Sequence, residues 1–122
     1  MENVIKNVIP KNMGNMKIDA DNLINLINED KAVLVDIRMP FETAVWSVNF
    51  AIQIPANKLP ENLDKLSKDK IVVVACPHTD RSIMARTYLA SLGYEVKYLA
   101  GGLLGLMDRL KGGKAKDIKL DK

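Results

Sequence analysis

The segment IVVVACPHTDRS, residues 71–82, decides the fold of this chain. Its first five residues, Ile71–Ala75, are apolar and mostly β-branched, which predicts a strand buried on both faces of a parallel sheet. The polar residues that follow lead into a helix predicted over about 82–92, where apolar residues recur at helical spacing and Gly93 is placed to end the helix. The segment therefore predicts a strand, a loop and a helix, the repeating unit of an α/β domain.

The same alternation extends in both directions from this segment. Further strands are predicted at 16–18, 32–35, 51–54 and 95–99. Helices are predicted over about 20–29 with Asp19 as N-cap, after Pro60, and after Gly101-Gly102, while 39–50 is either a helix or an irregular connection. The pattern predicts an α/β fold of three layers, in which a central, mostly parallel five-stranded sheet is flanked by helices on both faces.

Length and charge divide the chain into one domain and two terminal segments. The 122 residues suit a single domain, predicted over 16–111, and residues 1–15 form an extension that is either an extra helix or disordered. The net charge is +3, and residues 111–122 hold five Lys against two Asp, so the basic excess lies in the C-terminal tail, 112–122. We expect this tail to be a frayed, solvated terminus rather than a nucleic-acid or membrane contact.

Composition excludes several classes of protein. One cysteine and one histidine supply neither an internal disulfide nor the roughly four ligands of a structural zinc site, and we expect no metal and no cofactor. Aromatic residues are only 5% and are not interleaved with basic ones, so we expect no nucleic-acid partner. No targeting segment or membrane span is visible, so we expect a cytoplasmic protein without a membrane partner.

The single cysteine, Cys76, lies at the carboxyl end of a predicted strand, where α/β folds usually bind their ligands. Ligands of open α/β sheets bind beyond the carboxyl ends of the strands, and Cys76 directly follows the strongest strand. The unpaired N–H groups of a helix start and the nearby cation Arg81 would both stabilise a thiolate. Such a loop would hold either a thiolate that carries an extra sulfur atom or an oxyanion.

The motifs of the chain, in order, resemble those of the rhodanese-like domains, a family of sulfurtransferases. The family's single-domain members carry the loop Cys-x-x-Gly-x-Arg-Ser, and CPHTDRS matches it at Cys76, Arg81 and Ser82. The other matches are Asp-x-Arg at a strand end, a Pro and a Glu, an Ile-Pro pair, and a Gly-Gly pair, here Asp36, Arg38, Pro40, Glu42, Ile54, Pro55, Gly101 and Gly102. The resemblance covers about two-thirds of the chain, from Val33 to about Leu110.

This resemblance implies a sulfurtransferase with Cys76 as the catalytic nucleophile. A sulfane sulfur would pass from thiosulfate or a persulfide donor to a thiol or cyanide acceptor through a Cys76 persulfide. The partners implied are a small anionic donor and a thiol acceptor, with a partner protein as the alternative donor or acceptor. The residues implied to bind substrate are those of the active loop, Pro77, His78, Thr79, Asp80, Arg81 and Ser82, and the supporting residues are Asp36, Arg38 and Glu42.

Within the loop, we expect Ser82 to cap the helix and Arg81 either to bind the donor or to brace the loop through a carboxylate. His78 either assists the leaving group or is an exposed loop residue. Two departures from the family pattern support a non-catalytic binding or regulatory module as the alternative. Thr79 stands at the glycine position, so the loop is strained or differently shaped, and Pro77 has no N–H. Asp80 adds a negative charge beside a site meant for anions, which argues against efficient turnover of thiosulfate.

A phosphatase or arsenate reductase is a further alternative. Those enzymes use a related cradle with five residues between the cysteine and the arginine, which makes room for a tetrahedral oxyanion. Four residues separate Cys76 from Arg81 here, and this spacing favours sulfur chemistry.

Overall fold

A computed structural model describes residues 14–120. Within these residues, five strands alternate with four α-helices. In chain order the elements are β1 (Lys17–Ile18), α1 (Ala20–Asn28), β2 (Ala32–Asp36), α2 (Pro40–Thr43), β3 (Ala51–Gln53), β4 (Ile71–Ala75), α3 (Asp80–Ser91), β5 (Val96–Leu99) and α4 (Gly102–Leu110). Short 3₁₀ segments lie at Gly14–Met16, Ala56–Glu61, Leu63–Lys65 and Gly112–Asp117.

All four strand pairings in the sheet are parallel. The order across the sheet is β1-β5-β4-β2-β3, with Leu34 opposite Val73 and Val73 opposite Lys97 in the central register. β2 and β4 therefore lie side by side, and their carboxyl ends meet at one edge. The order reverses between β2 and β4, and in such sheets ligands bind at this kind of position.

Two hydrophobic cores, one on each face of the sheet, follow from the alternation of side chains along β4. Val73 and Ala75 face a core closed by α1 and α4, with members such as Leu23 and Leu106. Val72 and Val74 face the opposite core, which is closed by α3 and the 3₁₀ segments, with members such as Leu59, Leu66, Ala85 and Leu89. The three-layer α/β fold with a central five-stranded sheet is thus confirmed, and its helices cover both faces.

The local predictions are largely confirmed, with one helix wrong. Asp19 caps α1 by accepting a hydrogen bond from the N–H of Asn22 at 2.8 Å, and Gly93 follows α3 with a φ of 92°. The helix expected to begin at Pro60 is absent, since Pro60 lies inside the 3₁₀ segment Ala56–Glu61 and a second 3₁₀ segment follows it. Leu59 and Leu66 are nevertheless buried as their spacing suggested. Within 39–50, only α2 is helical.

The C-terminal tail differs from the frayed terminus that we expected. Within residues 112–120, the side-chain amide of Asn28 donates to the Asp117 carbonyl at 2.9 Å, and its oxygen accepts from the N–H of Lys119 at 2.7 Å. Ile118 packs against the core on the α1 and α4 face. These contacts hold the described part of the tail against the domain, because the amide of one side chain donates to a backbone carbonyl and also accepts from a backbone N–H. The extension predicted over 1–15 lies outside the described residues, apart from residues 14 and 15.

Candidate active site

Cys76 lies immediately after β4, at the edge where β2 and β4 end. Its side chain is 2% exposed and packs in the same buried cluster as Ala85, so it lies on the α3 face of the sheet. It is a free thiol. A reagent must therefore approach the sulfur from the loop side, because the sheet and α3 cover the remainder.

The loop after Cys76 presents backbone N–H groups that have no protein acceptor. Among residues 14–120, none of the N–H groups of residues 78–82 donates a hydrogen bond, and the first paired donor is the N–H of Ile83, which binds the Thr79 carbonyl at 3.0 Å. The first N–H groups of an α-helix point outward beyond its N-terminus. The start of α3 is therefore a set of donors available to a negative charge beside the thiol.

Two expectations about this loop are resolved by its backbone. Thr79 has φ −137° and ψ −21°, so the loop is differently shaped rather than strained, and a glycine at Thr79 would relieve no strain. Ser82 is not the N-cap, which is Thr79; instead the buried Ser82 hydroxyl donates to the Thr79 carbonyl at 2.7 Å. The expected cap is wrong because α3 begins at Asp80, two residues earlier than predicted, and this places Ser82 inside its first turn.

Arg81 is braced by a carboxylate from a different part of the chain. Its guanidinium donates to both carboxylate oxygens of Glu42, with N–O distances of 2.6 and 2.9 Å, and Glu42 also accepts from the N–H of Met39 at 3.1 Å. Hydrogen bonding from Arg81 lowers the pKa of Glu42 to about 2, against the opposing effect of partial burial. This pair fixes the first turn of α3 against α2.

The electrostatics of Arg81 are set mainly by Glu42. The pKa of Arg81 is raised above its usual value, chiefly by the hydrogen bonds to Glu42, and burial opposes this rise. The charge of Glu42 and, more weakly, the nearby Cys76 also raise this pKa. Glu42 thus holds the guanidinium of Arg81 on the loop that follows Cys76.

A buried ion pair supports the end of β2. The Arg38 side chain donates to both oxygens of Asp36 at 2.8–3.1 Å, and the two side chains are 1% and 0% exposed. Arg38 also donates to the Trp46 carbonyl at 2.9 Å and lies 3.8 Å from the centre of the Trp46 ring. Charge, hydrogen bonds and the aromatic face together compensate the burial of the guanidinium. Neither residue is placed to react, which agrees with a supporting role.

The start of α4 packs against the active loop at very close range. The N–H of Leu103 donates to the Cys76 carbonyl at 2.8 Å, and that of Leu104 donates to the Pro77 carbonyl at 3.3 Å. A Cβ atom on Gly102 would lie 2.2 Å from the His78 carbonyl oxygen and 2.3 Å from that of Pro77. Only a glycine at this position, which has φ +66°, permits the approach.

Some of the predicted site residues form ion pairs in the structure, and others are exposed without a partner among residues 14–120. Arg81 and Glu42 are joined beside Cys76, and Asp36 and Arg38 brace the neighbouring strand end. The side chains of His78 and Asp80 are exposed, and neither forms a hydrogen bond or ion pair within the described residues.

Two supporting residues had no assigned role at the sequence level. The sequence analysis identifies Gly102 only as part of a Gly-Gly pair and assigns nothing to Trp46. The signal for Gly102 was the pair itself, because two consecutive glycines indicate a backbone that must approach something closely. No local signal identifies the Trp46 carbonyl as an acceptor for Arg38.

Comparisons with known proteins identify the family of this chain. The family model described as "Rhodanese-like domain" matches residues 19–108. A protein of Allochromatium vinosum named "Sulfurtransferase" is 36% identical over 90 residues, which are 72% of this chain and 84% of that protein. The crystal structure of a rhodanese-related protein from Thermoplasma volcanium is 31% identical with a TM-score of 0.67, covering 76% of this chain and 91% of that one.

A third relative is a much longer protein. The tRNA uridine(34) hydroxylase of Pelagibacter ubique is 30% identical over 105 residues, which are 83% of this chain but 35% of that protein. This chain therefore spans about a third of the length of that relative.

No helix within residues 14–120 is long and apolar enough to cross a membrane.

Proposed function

Because the chain belongs to the rhodanese-like domain family, we propose that it is a sulfurtransferase in which Cys76 carries the transferred sulfur as a persulfide. The observation that supports this most strongly is the arrangement around the thiol. Cys76 begins a loop that leads to Arg81 and to a helix start with unpaired N–H groups, and the N–H of Leu103 in α4 binds the carbonyl of Cys76 itself. This environment stabilises an anion on sulfur before and after transfer.

The first step is attack of the Cys76 thiolate on the outer sulfur of thiosulfate. A bond forms between Sγ and that sulfur, the sulfur–sulfur bond of the donor breaks, and sulfite leaves with the bonding electron pair. No oxidant or reductant is consumed, and the total charge is unchanged. Arg81 binds the departing anion, and the N–H groups of residues 78–82 donate hydrogen bonds to the negatively charged terminal sulfur of the persulfide.

The second step returns the enzyme to its starting state. A thiolate or cyanide attacks the terminal sulfur of the persulfide, and the Cys76 thiolate leaves with the electron pair of the bond that breaks. The chain has one cysteine, so no internal thiol competes for this sulfur and the acceptor comes from outside. The kinetic pattern is ping-pong. We place this reaction in the cytoplasm, where acceptor thiols stay reduced.

Intact-mass measurement tests the proposal directly. The protein is incubated with thiosulfate or with polysulfide, desalted, and measured with and without added cyanide. We expect a gain of one sulfur atom that cyanide removes as thiocyanate, and no gain in Cys76→Ser. Because Cys76→Ser contains no thiol, it is also the control for non-specific sulfur deposition. An unmodified mass with both donors would contradict the proposal.

The same experiment separates the two alternatives. The non-catalytic module rests on Pro77, which removes one N–H from the loop. It predicts no adduct with any donor. A phosphatase or arsenate reductase predicts turnover of a generic aryl phosphate or of arsenate, with activity that depends on Cys76 but without a sulfur adduct.

A further inference from the structure

Exposed apolar side chains surround the mouth of the active loop. Among residues 14–120, seven large apolar side chains are exposed, and five of them lie at α2, near the start of α3 or near the start of α4. Single exposed apolar residues are ordinary on a protein surface, whereas a group of them around one site marks a docking surface. We call this group the apolar collar, and its members are Phe41, Val45, Ile83, Met84 and Leu104.

One side of the collar is fixed to the loop through an ion pair. Phe41 directly precedes Glu42, whose carboxylate binds Arg81 with an N–O distance of 2.6 Å. The N–H of Val45 donates to the Glu42 carbonyl at 3.2 Å. The two side chains are 72% and 82% exposed, although both are apolar. The ion pair therefore holds two solvent-exposed apolar groups beside the loop.

The other side of the collar is fixed to the loop through backbone hydrogen bonds. The N–H of Ile83 donates to the Thr79 carbonyl at 3.0 Å, and the N–H of Leu104 donates to the Pro77 carbonyl at 3.3 Å. Because α3 and α4 cover opposite faces of the sheet, the collar has members on both sides of the loop.

The reaction requires that an acceptor enter at this collar. Cys76 is buried, and the chain has no second cysteine, so the sulfur must pass to a thiol that arrives from outside. Five side chains offer on the order of a few hundred Å² of surface, less than the roughly 800 Å² per partner of a stable complex. This area suits a brief contact, and a ping-pong enzyme must release its acceptor after every transfer.

The charge at the collar selects the kind of acceptor. Arg81 is paired with Glu42, whereas the Asp80 carboxylate is exposed and has no ion-pair partner in the part of the chain that the structure describes. A partner with a lysine or arginine beside its cysteine is complementary to this charge. The same cation lowers the pKa of the partner's thiol and so favours its thiolate. A second copy of this chain is a poor acceptor, because its own Cys76 is equally buried.

We propose that the apolar collar is a transient docking surface for a partner protein that presents a cysteine flanked by apolar and basic residues. The inference rests on the sulfur transfer proposed above and specifies its acceptor. The partner's thiolate attacks the terminal sulfur of the Cys76 persulfide, a sulfur–sulfur bond forms on the partner, and the Cys76 thiolate leaves with the electron pair. The partner departs as a persulfide, and no oxidant or reductant is consumed.

Three cysteine peptides of equal length serve as probes for this partner. They are acetyl-Lys-Leu-Cys-Phe-Lys-amide, the same peptide with Glu in place of Lys, and the same peptide with Ser in place of Leu and Phe. Each is mixed with the Cys76 persulfide, and quenched intact-mass measurement gives the rate constant of sulfur transfer. Dividing this value by the rate constant of the same peptide with dipyridyl disulfide, a neutral reagent, removes differences in thiol reactivity.

The normalised rate constants report apolar contact and charge separately. We expect the apolar basic peptide to react about fivefold or more faster than the Ser peptide, because its Leu and Phe leave water for the collar. It should react about two- to fivefold faster than the acidic peptide, and Asp80→Asn should remove this second preference.

Two substitutions in the collar separate docking from chemistry. Phe41→Gln and Val45→Gln change side chains that form no hydrogen bond within residues 14–120, so persulfide formation and transfer to mercaptoethanol should be unchanged. Each should slow transfer to the apolar basic peptide by about threefold or more. Leu120→Gln is the matched control, because Leu120 is also an exposed apolar residue but lies on the C-terminal tail.

The outcomes distinguish the collar from the reaction. Equal normalised rate constants for the three peptides, or equal losses in Phe41→Gln and Leu120→Gln, would overturn the docking surface while sulfur transfer stands. A wild-type dimer in sedimentation that Phe41→Gln dissociates would assign the collar to a second copy of this chain and refute the proposed partner.

If no persulfide forms, sulfur transfer fails, and binding alone decides the collar. Isotope-labelled Cys76→Ser is then titrated, in an NMR experiment, with the apolar basic peptide in which Ser replaces Cys. Shifts of backbone amides confined to the collar residues support the docking surface. Shifts elsewhere, or none, refute it.

Discussion

The substitution Gly102→Ala tests whether the close approach of α4 holds the active loop in place. The added Cβ would lie 2.2 Å from the His78 carbonyl oxygen, and Cβ atoms in proteins essentially never come within 3.0 Å of such an atom. The loop or α4 must therefore move by about 0.8 Å, the difference between these two distances. Both neighbours are backbone, so no side-chain rotation relieves the contact.

The expected loss of stability has three parts. A φ of +66° costs an alanine about 1–2 kcal/mol relative to glycine. The displacement weakens the 2.8 Å hydrogen bond from Leu103 to the Cys76 carbonyl, a further loss of about 1 kcal/mol. Imperfect repacking at the loop adds to these, so we expect a total of about 2–4 kcal/mol, or roughly 8–16 °C in Tm for a domain of this size.

Urea denaturation followed by circular dichroism measures the stability, and the rate of sulfur addition to Cys76 measures the position of the loop. We expect roughly 100-fold slower persulfide formation, because a displacement near 1 Å moves the thiol away from its donors. Gly105→Ala is the matched control: it lies in the same helix with nothing within 4 Å of its added Cβ, so it should gain about 0.5–1 kcal/mol.

The reasoning would be refuted if Gly102→Ala unfolded at the same urea concentration as the wild type and formed the persulfide at the same rate. Retained stability with slow sulfur addition would instead locate the movement in the loop alone.

Two further predictions concern the ion pairs. In the folded protein the pKa of Glu42 is lowered to about 2, whereas in the unfolded chain it is near 4.5. The Glu42 carboxylate therefore stabilises the folded protein fully above pH 4.5, and this stabilisation is lost as the pH falls towards 2. At pH 6 the free energy of unfolding of the wild type, measured by urea denaturation, should be about 1 kcal/mol larger than that of Glu42→Gln. This value is discounted because 42% of the Arg81 side chain is exposed to solvent. If the difference in the free energy of unfolding persists at pH 2, the argument is wrong. Arg38→Met should lower the free energy of unfolding by about 3–5 kcal/mol, because it leaves the Asp36 carboxylate buried without its ion-pair partner. Lys31→Met is the control, because it breaks an exposed ion pair and should leave Tm unchanged. Equal effects of the two substitutions in thermal melts would refute the argument.

The strands and α3 were predictable because their signals are local. The run Ile71–Ala75 has no polar residue and is mostly β-branched, which predicts a strand of a parallel sheet, and both strand neighbours of β4 are parallel to it. Asp19 and Gly93 mark helix ends by their own chemistry, without help from distant residues. The helix expected at Pro60 failed because only the spacing of leucines supported it, and packing beneath α3 is satisfied equally by two 3₁₀ turns.

Some features of the candidate active site were also predictable from the sequence, and others were not. The position of Cys76 after a strand and the spacing to Arg81 were visible in the sequence, because both are properties of one short segment. The partner of Arg81 was not, since Glu42 is 39 residues away and only the packing of α2 against α3 brings the carboxylate to the guanidinium. The docked tail was missed for a similar reason, because Asn28 reaches it across 89 and 91 residues.

The sequence by itself therefore determined the family and the three-layer sheet, because hydrophobic periodicity and a short motif are local properties. It also predicted Cys76 as the nucleophile of the reaction that we propose. The tertiary structure decided how that nucleophile is surrounded. It set the shape of the loop at Thr79, joined Arg81 to Glu42 and brought Gly102 against the carbonyls of Pro77 and His78. These features depend on distances between residues far apart in the chain, and such distances are fixed only when the two faces of the sheet are packed.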